Sequence, residues 1–153
     1  MAGARRRSES NDHLNRDAYI FLSILAGRFG SDIERICAAH ELTEAHYRVL
    51  WVLCLTAGRA PLAMGDIVDG VVNKASDVTR LVDKLERLGH VARSTSPSDR
   101  RRVMVKATAS GRRVFATITR QVKNVHYDQW AGLDNDELRT LVHLMKKASR
   151  HVG

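Results

Sequence analysis

The chain has 153 residues, 44% hydrophobic and 27% charged, with a formal net charge of +8. That length fits one domain with a helical extension, and the longest apolar run, residues 49–55, is far too short to span a bilayer. Residues 1–12 are basic and polar, without the apolar core of a signal peptide, so the sequence reads as a cytoplasmic protein.

Residues 1–11 are expected to be a disordered basic arm carrying Arg5, Arg6 and Arg7. From residue 12 to about 39, Leu14, Ala18, Phe21, Leu22, Leu25, Phe29, Ile33, Ile36 and Cys37 recur at helical steps. That pattern predicts a long helix, weakened where Gly27 and Gly30 interrupt it. Thr43 is placed to cap a second helix over residues 44–56, which is apolar nearly all round and belongs in the middle of a domain. Gly58 and Pro61 break the chain.

A short helix over residues 64–71 follows, with Ile67, Val68 and Val71 inward. A helix over residues 74–88 comes next, capped by Asn73 and stopped by Gly89. Its two faces differ sharply. Val78, Leu81, Val82, Leu85 and Leu88 form an apolar stripe; Lys74, Asp77, Arg80, Lys84 and Arg87 form a charged one. Two short strands, residues 90–95 and 103–107, flank a turn at Pro97, Ser98 and Asp99 loaded with Arg100, Arg101 and Arg102. Ser110 is positioned to cap a long helix to about residue 130, and Asp134 with Glu137 forms a capping-box-like start to a last helix.

Charge is concentrated where these elements meet. Residues 74–113 hold eleven Lys or Arg against four acids, or seven of the eight net positive charges. Such a surplus suits a polyanion. A basic stripe on one helix is ordinarily a solvated face. Here the order is more specific: short helix, turn, basic amphipathic helix, basic hairpin. It describes a helix-turn-helix followed by a wing. The second helix can offer Lys74, Ser76, Asp77, Thr79 and Arg80 to the major groove, with Lys84 and Arg87 on phosphates. The hairpin adds Arg93, Arg100, Arg101 and Arg102, and its narrow tip fits a minor groove. The expected fold is mainly α with a small β wing.

The segments LTEAHYRVLWVL (42–53), DVTRLVDKLERLGHVAR (77–93) and SPSDRRRVMVKATASGRR (96–113) resemble the MarR family of winged-helix regulators. Its wing pattern is D-x-R, a short strand, then L-T-x-x-G. This chain has Asp99-Arg100-Arg101 and then Ala107-Thr108-Ala109-Ser110-Gly111, with Ala107 in place of the family's Leu. The resemblance implies that Arg101 is a minor-groove finger and that Asp99 braces the wing through a salt bridge. It also puts Thr79, Arg80 and Lys84 at DNA. It further implies a homodimer held by the terminal helices, reading a pseudo-palindromic operator on double-stranded DNA. The chain then divides into a dimerisation helix (12–41), a winged helix-turn-helix (42–109) and C-terminal dimerisation helices (110–153).

By the same resemblance, a small aromatic or phenolic effector enters a cleft lined by helices 1, 2 and 5. Arg28, His46 and Trp51 are the candidates to hold it. Each also has a plain structural role: an ion-pair partner, a helix-surface residue and a core residue. Cys37 and Cys54 sit in apolar surroundings and read first as buried small hydrophobes. A regulator of the same fold that has no effector, or that responds to cysteine oxidation, is the alternative. Cys37 lies at the end of the first helix, whereas the peroxide-sensing branch uses a cysteine near its start. His40 and Glu41 alone make no metal site. No nucleophile with base and orienter, carboxylate pair or phosphate-cradling glycine loop is present, so the sequence predicts no enzyme and no cofactor. Neither Trp nor Phe forms an interfacial stripe beside the basic residues, which argues against a membrane partner.

Overall fold

The computed structural model describes residues 2–56, 60–71, 77–99 and 101–150, with side chains from Asp12 onward except that of Thr56. Helix α1 (Ala2–Ala38) runs through the segment expected as a disordered arm and passes Gly27 and Gly30 without a break. It ends in a turn closed by the Leu42 N–H donating to the Cys37 carbonyl at 3.1 Å, with Glu41 in the left-handed region at φ 60. Thr43 caps α2 (Glu44–Trp51) as expected. Residues Val52–Thr56 continue it as a π-helical turn, a geometry the apolar pattern did not reveal.

A two-residue strand that the sequence reading missed, β1 (Leu62–Ala63), leads into α3 (Met64–Gly70). Ile67 and Val71 are buried, while Val68, expected inward, is 38% exposed. Helix α4 (Val78–Arg87) starts later than expected, because Asp77 is its N-cap and takes the Arg80 N–H at 3.3 Å. Residues Asn73, Lys74 and Ser76 lie outside the described residues. Gly89, at φ 70, ends the helix.

Strands β2 (Val91–Thr95) and β3 (Val103–Ala107) pair antiparallel, with Arg93 opposite Val105 and Thr95 opposite Val103. β1 adds to the other edge of β3, giving the order β1-β3-β2. Leu50, Leu53, Ile67, Val82, Leu85 and Val105 are fully buried where α2, α3, α4 and the sheet meet. Ile118 and Val122 of α5 (Ala109–Gln129) close this core. α1 adds little more than Cys37, and no residue of α6 (Asn135–Ser149) is buried.

The Thr108-x-x-Gly111 step has a physical cause. Thr108, rather than Ser110, caps α5: its Oγ1 accepts the Gly111 N–H at 3.0 Å and donates to the Gly89 carbonyl at 2.7 Å. Its own N–H donates to the His90 carbonyl at 3.0 Å. One threonine thus fastens the start of α5 to the turn between α4 and the wing. A Cβ at Gly111 would collide with the His90 carbonyl oxygen, a backbone atom that cannot swing away. Gly111→Ala is therefore expected to lower unfolding free energy by about 1–3 kcal/mol, as overpacking does. A denaturant midpoint unchanged from wild type would show that the two backbones do not approach as described.

Candidate nucleic-acid interface

Helix α4 turns three flanks outward. Arg80 and Arg87 face solvent, and the Arg80 side chain is 87% exposed while pairing with Asp77 at 3.1 Å. Thr79 and Asp83 look toward the wing, where they line a groove with Ala63, Met64, Arg93, Arg101 and Arg102. The groove measures about 680 Å³. Lys84 lies on the third flank and is half-buried near His46 of α2. The structure thus gathers Thr79, Arg93, Arg101 and Arg102 around one concavity, with Arg80 on its outer lip. Asp77 is occupied by capping and by Arg80. Arg100 lies outside the described residues.

The wing is braced at two levels. At its tip, the Asp99 carboxylate accepts the Arg101 backbone N–H at 2.9 Å, and the Asp99 carbonyl accepts the Arg102 N–H at 3.0 Å. Asp99 therefore shapes the turn through backbone hydrogen bonds, where the resemblance implied an ion pair. At its base, Arg93 reaches back from β2 to α4. Its guanidinium donates to Asp83 at 2.6 Å and to Glu86 at 2.7 Å, and its N–H donates to Glu86 at 3.2 Å. Arg93, expected among the DNA contacts, pairs here with these two carboxylates. The signal was present in the sequence, since Asp83 and Glu86 are two of the four acids in the basic segment and stand one helical turn apart.

A second cavity, about 390 Å³, lies between Ile33 of α1, the Glu44–Val52 face of α2, the end of α3, and Val122 and His126 of α5. Of the three residues expected in a cleft, only Trp51 lines it; its side of α2 faces out and it is 46% exposed. Arg28 is exposed on α1 and has no ion pair among the described residues. His46 is buried. Its Nδ1 accepts the Thr43 N–H at 3.1 Å, so it fills the place a Glu or Gln takes in a capping box. Tyr47, Arg48 and His126, which the sequence reading passed over, complete the polar lining with Glu44.

Cys37 is fully buried, and burial pushes its thiol up to about 12, so little thiolate forms at neutral pH. Burial likewise raises the Cys54 thiol. Among the described residues there is no cluster of three metal-ligating side chains, and no helix is long and apolar enough to cross a membrane.

A helix-turn-helix whose second helix runs into a three-stranded sheet with a basic wing defines the winged-helix class. The sequence profile of the MarR family matches residues 40–102. The chain is 31% identical over 115 residues to a protein assigned to regulation of the hcr operon in Thauera aromatica, covering 75% of this chain and 68% of that protein. It is 29% identical over 108 residues to the multiple antibiotic resistance protein MarR of Escherichia coli, covering 70% and 73%. A structure of a mutant of that MarR complexed with operator DNA superposes with a TM-score of 0.74 at 23% identity, over 84% of this chain and 90% of that one. Bordetella bronchiseptica BpsR, whose DNA binding is regulated by 6-hydroxynicotinic acid, superposes with a TM-score of 0.74 at 22% identity, over 87% and 98%. The chain belongs to the MarR family. It is a DNA-binding transcriptional regulator and, like its relatives, not an enzyme.

His46 gives this lobe a pH dependence. Burial, together with the nearby Lys84 ammonium, lowers its pKa, and Glu34 only partly offsets them. Protonation would also cost Nδ1 its acceptor role at Thr43. The unfolded chain therefore takes up the proton first as pH falls below about 6.5, and the unfolded state gains. Unfolding free energy is expected to be highest above that pH and to fall as pH drops through the folded pKa. His46→Gln, which keeps the capping box and removes the titration, should flatten that fall in urea titrations at pH 7.5 and 5.5. An equal fall in both proteins would assign it to other groups.

Proposed function

We propose that the protein is a homodimeric repressor that binds a pseudo-palindromic operator on double-stranded DNA and is released by a small aromatic acid. The observation that carries the DNA half is the groove between α4 and the wing. Thr79, Arg101 and Arg102 converge there, with the exposed Arg80 beside them. Arg101 is the proposed minor-groove finger, and Arg80 and Thr79 the proposed base readers, with Lys74, Ser76 and Arg100 assigned to the same surface by sequence alone. Arg93 contributes by holding the wing. This reading places the protein in the cytoplasm, with the chromosome.

Support for the dimer comes from the terminal helices. α1 exposes Leu14, Tyr19, Phe21 and Leu22, while α6 exposes Leu144 and Met145 and buries nothing. An amphipathic helix that buries no residue in its own chain gains its stability from another surface. A second copy offering the same faces satisfies both helices and sets two recognition helices about 34 Å apart.

The effector half rests on the cavity between α1, α2 and α5, where the terminal helices meet the DNA-binding lobe. A ligand there can act by favouring one dimer geometry over another. The structural neighbour BpsR, regulated by 6-hydroxynicotinic acid, supports an aromatic acid. The buried, proton-retaining Cys37 weighs against a cysteine switch.

Gel shifts on the intergenic DNA upstream of the gene test this reading. Binding should be salt-sensitive and relieved by salicylate. Arg101→Ala should weaken it by about 1–3 kcal/mol while the protein stays folded, and Arg80→Ala by a similar amount with specificity relaxed at one base pair. Unchanged affinity in Arg101→Ala would refute the wing assignment. A loss in Arg80→Ala equal on all sequences would make that residue a phosphate contact.

A further inference from the structure

Glu44, Arg48 and Trp51 follow one another at steps of four and three residues, so they share one face of α2, and that face walls the α1–α2–α5 cavity. Tyr47 lines the cavity beside them. Its hydroxyl meets Thr119 at 3.2 Å, and its ring stacks on Phe115 at 5.6 Å between centroids, so α5 fixes it from behind. The cavity thus has two flat aromatic walls. Glu44 and Arg48 are its charged lining residues among the described residues, and they form an ion pair.

That pair is balanced in charge but not saturated in hydrogen bonds. Arg48 Nε donates to Glu44 Oε1 at 3.1 Å, and Nη2 turns to the same oxygen. The second carboxylate oxygen, Oε2, accepts no hydrogen bond among the described residues. It faces α1 at Gly30, where a Cβ would lie 3.8 Å away and glycine has none. Arg48 Nη1 is likewise unspent among the described residues. A carboxylate accepts through both oxygens and a guanidinium donates through all three nitrogens. The pair therefore keeps one acceptor and one donor in reserve. On an open helix surface such a pair does little; here it stands in the wall of a cavity beside two aromatic rings.

We infer that Glu44 is the specificity-determining residue of the effector cavity, and that it selects aromatic acids carrying a second hydrogen-bond donor, a ring hydroxyl or amine, over bare ones. This rests on the effector reading above. A flat ring fits beside Trp51 and Tyr47, and its acid group turns to Arg48. A bare acid reaches that guanidinium only by sharing it with Glu44. Two carboxylates then face one cation, and the apolar side chains around them screen the repulsion less than water does. A ring hydroxyl or amine changes the balance. It donates to Glu44 Oε2 while the acid accepts from Arg48, so every charge keeps a partner. With Arg48 alone, any aromatic acid would do; the carboxylate beside it makes the ring donor the feature that is read.

Calorimetric titration of the full-length protein with benzoate, meta-hydroxybenzoate and para-hydroxybenzoate separates this inference from the reading beneath it. These isomers are cleaner probes than salicylate, whose hydroxyl is spent on its own carboxylate. One of the two hydroxybenzoates should bind about tenfold or more tightly than benzoate, as a hydrogen bond to a charged group allows. In Glu44→Leu, with an unchanged circular dichroism spectrum, that advantage should vanish. Benzoate should then bind more tightly than it does to the wild type, because Arg48 has been released. Glu44→Gln keeps the size and a neutral acceptor, and should move both affinities in the same directions by less. Equal affinity of the wild type for all three acids overturns the inference and leaves the effector reading intact. A hydroxyl preference that survives undiminished in both variants also overturns it, because the donor is then read elsewhere. Failure of every acid to bind removes the aromatic-acid reading and this inference with it.

Discussion

The Arg93 guanidinium, shared between Asp83 and Glu86, determines what this surface can do. A two-stranded hairpin is marginal alone, and its angle to the recognition helix is not set by the short β2–β3 ladder. Three hydrogen bonds from one residue tie β2 to α4 beside the core that packs the sheet on that helix. Arg93 is partly buried but Asp83 and Glu86 are 48% and 39% exposed, so water screens the pairs and each is worth about 0.2–1 kcal/mol. Asp83 and Glu86 also serve by being consumed. Free carboxylates beside Arg101 and Arg102 would repel phosphate; neutralised by Arg93, they do not.

Above the clamp, the Thr108 hydroxyl and the bare Gly111 bring the start of α5 against the α4–β2 turn. The wing, the recognition helix and α5 are therefore fastened to one another within a few residues. α5 then carries His126 and Gln129 to α1. Phe29 of α1 meets Trp130, just past the end of α5, edge-on at 4.9 Å. On the proposed reading, a change in how α1 sits on α5 moves the wing and recognition helix as one body. That motion alters the spacing of the two half-site readers.

The core of the DNA-binding lobe was legible because its helices carry one-sided apolar stripes. Val78, Val82 and Leu85 recur at helical steps and are buried, and Val103 to Ala107 alternates and is a strand. The wing was legible for a different reason: a proline-containing turn between two short strands, followed by Arg101 and Arg102. What the pattern could not show were contacts between residues far apart in sequence. β1 is two residues long and exists only because β3 pairs with it. Tyr47 and His126 share a cavity wall across the gap between α2 and α5. Arg93 looked like one more basic residue until the acids of α4 were placed beside it. The polar composition of the N-terminal segment reads as a solvated tail, whereas α1 continues through it to Ala2. His46 and Arg28 were singled out for chemistry; the first caps a helix and the second faces solvent.

The most direct test of the clamp is a double-mutant cycle on operator affinity with Arg93→Ala and Arg101→Ala, read at fixed salt. If Arg93 acts by aiming the wing, its removal costs most of the binding that Arg101 provides. The second substitution should then cost much less in the Arg93→Ala background than alone, a coupling of about 1 kcal/mol or more. Additive losses would contradict this, because they would make Arg93 an independent contact and leave the angle of the wing to some other interaction.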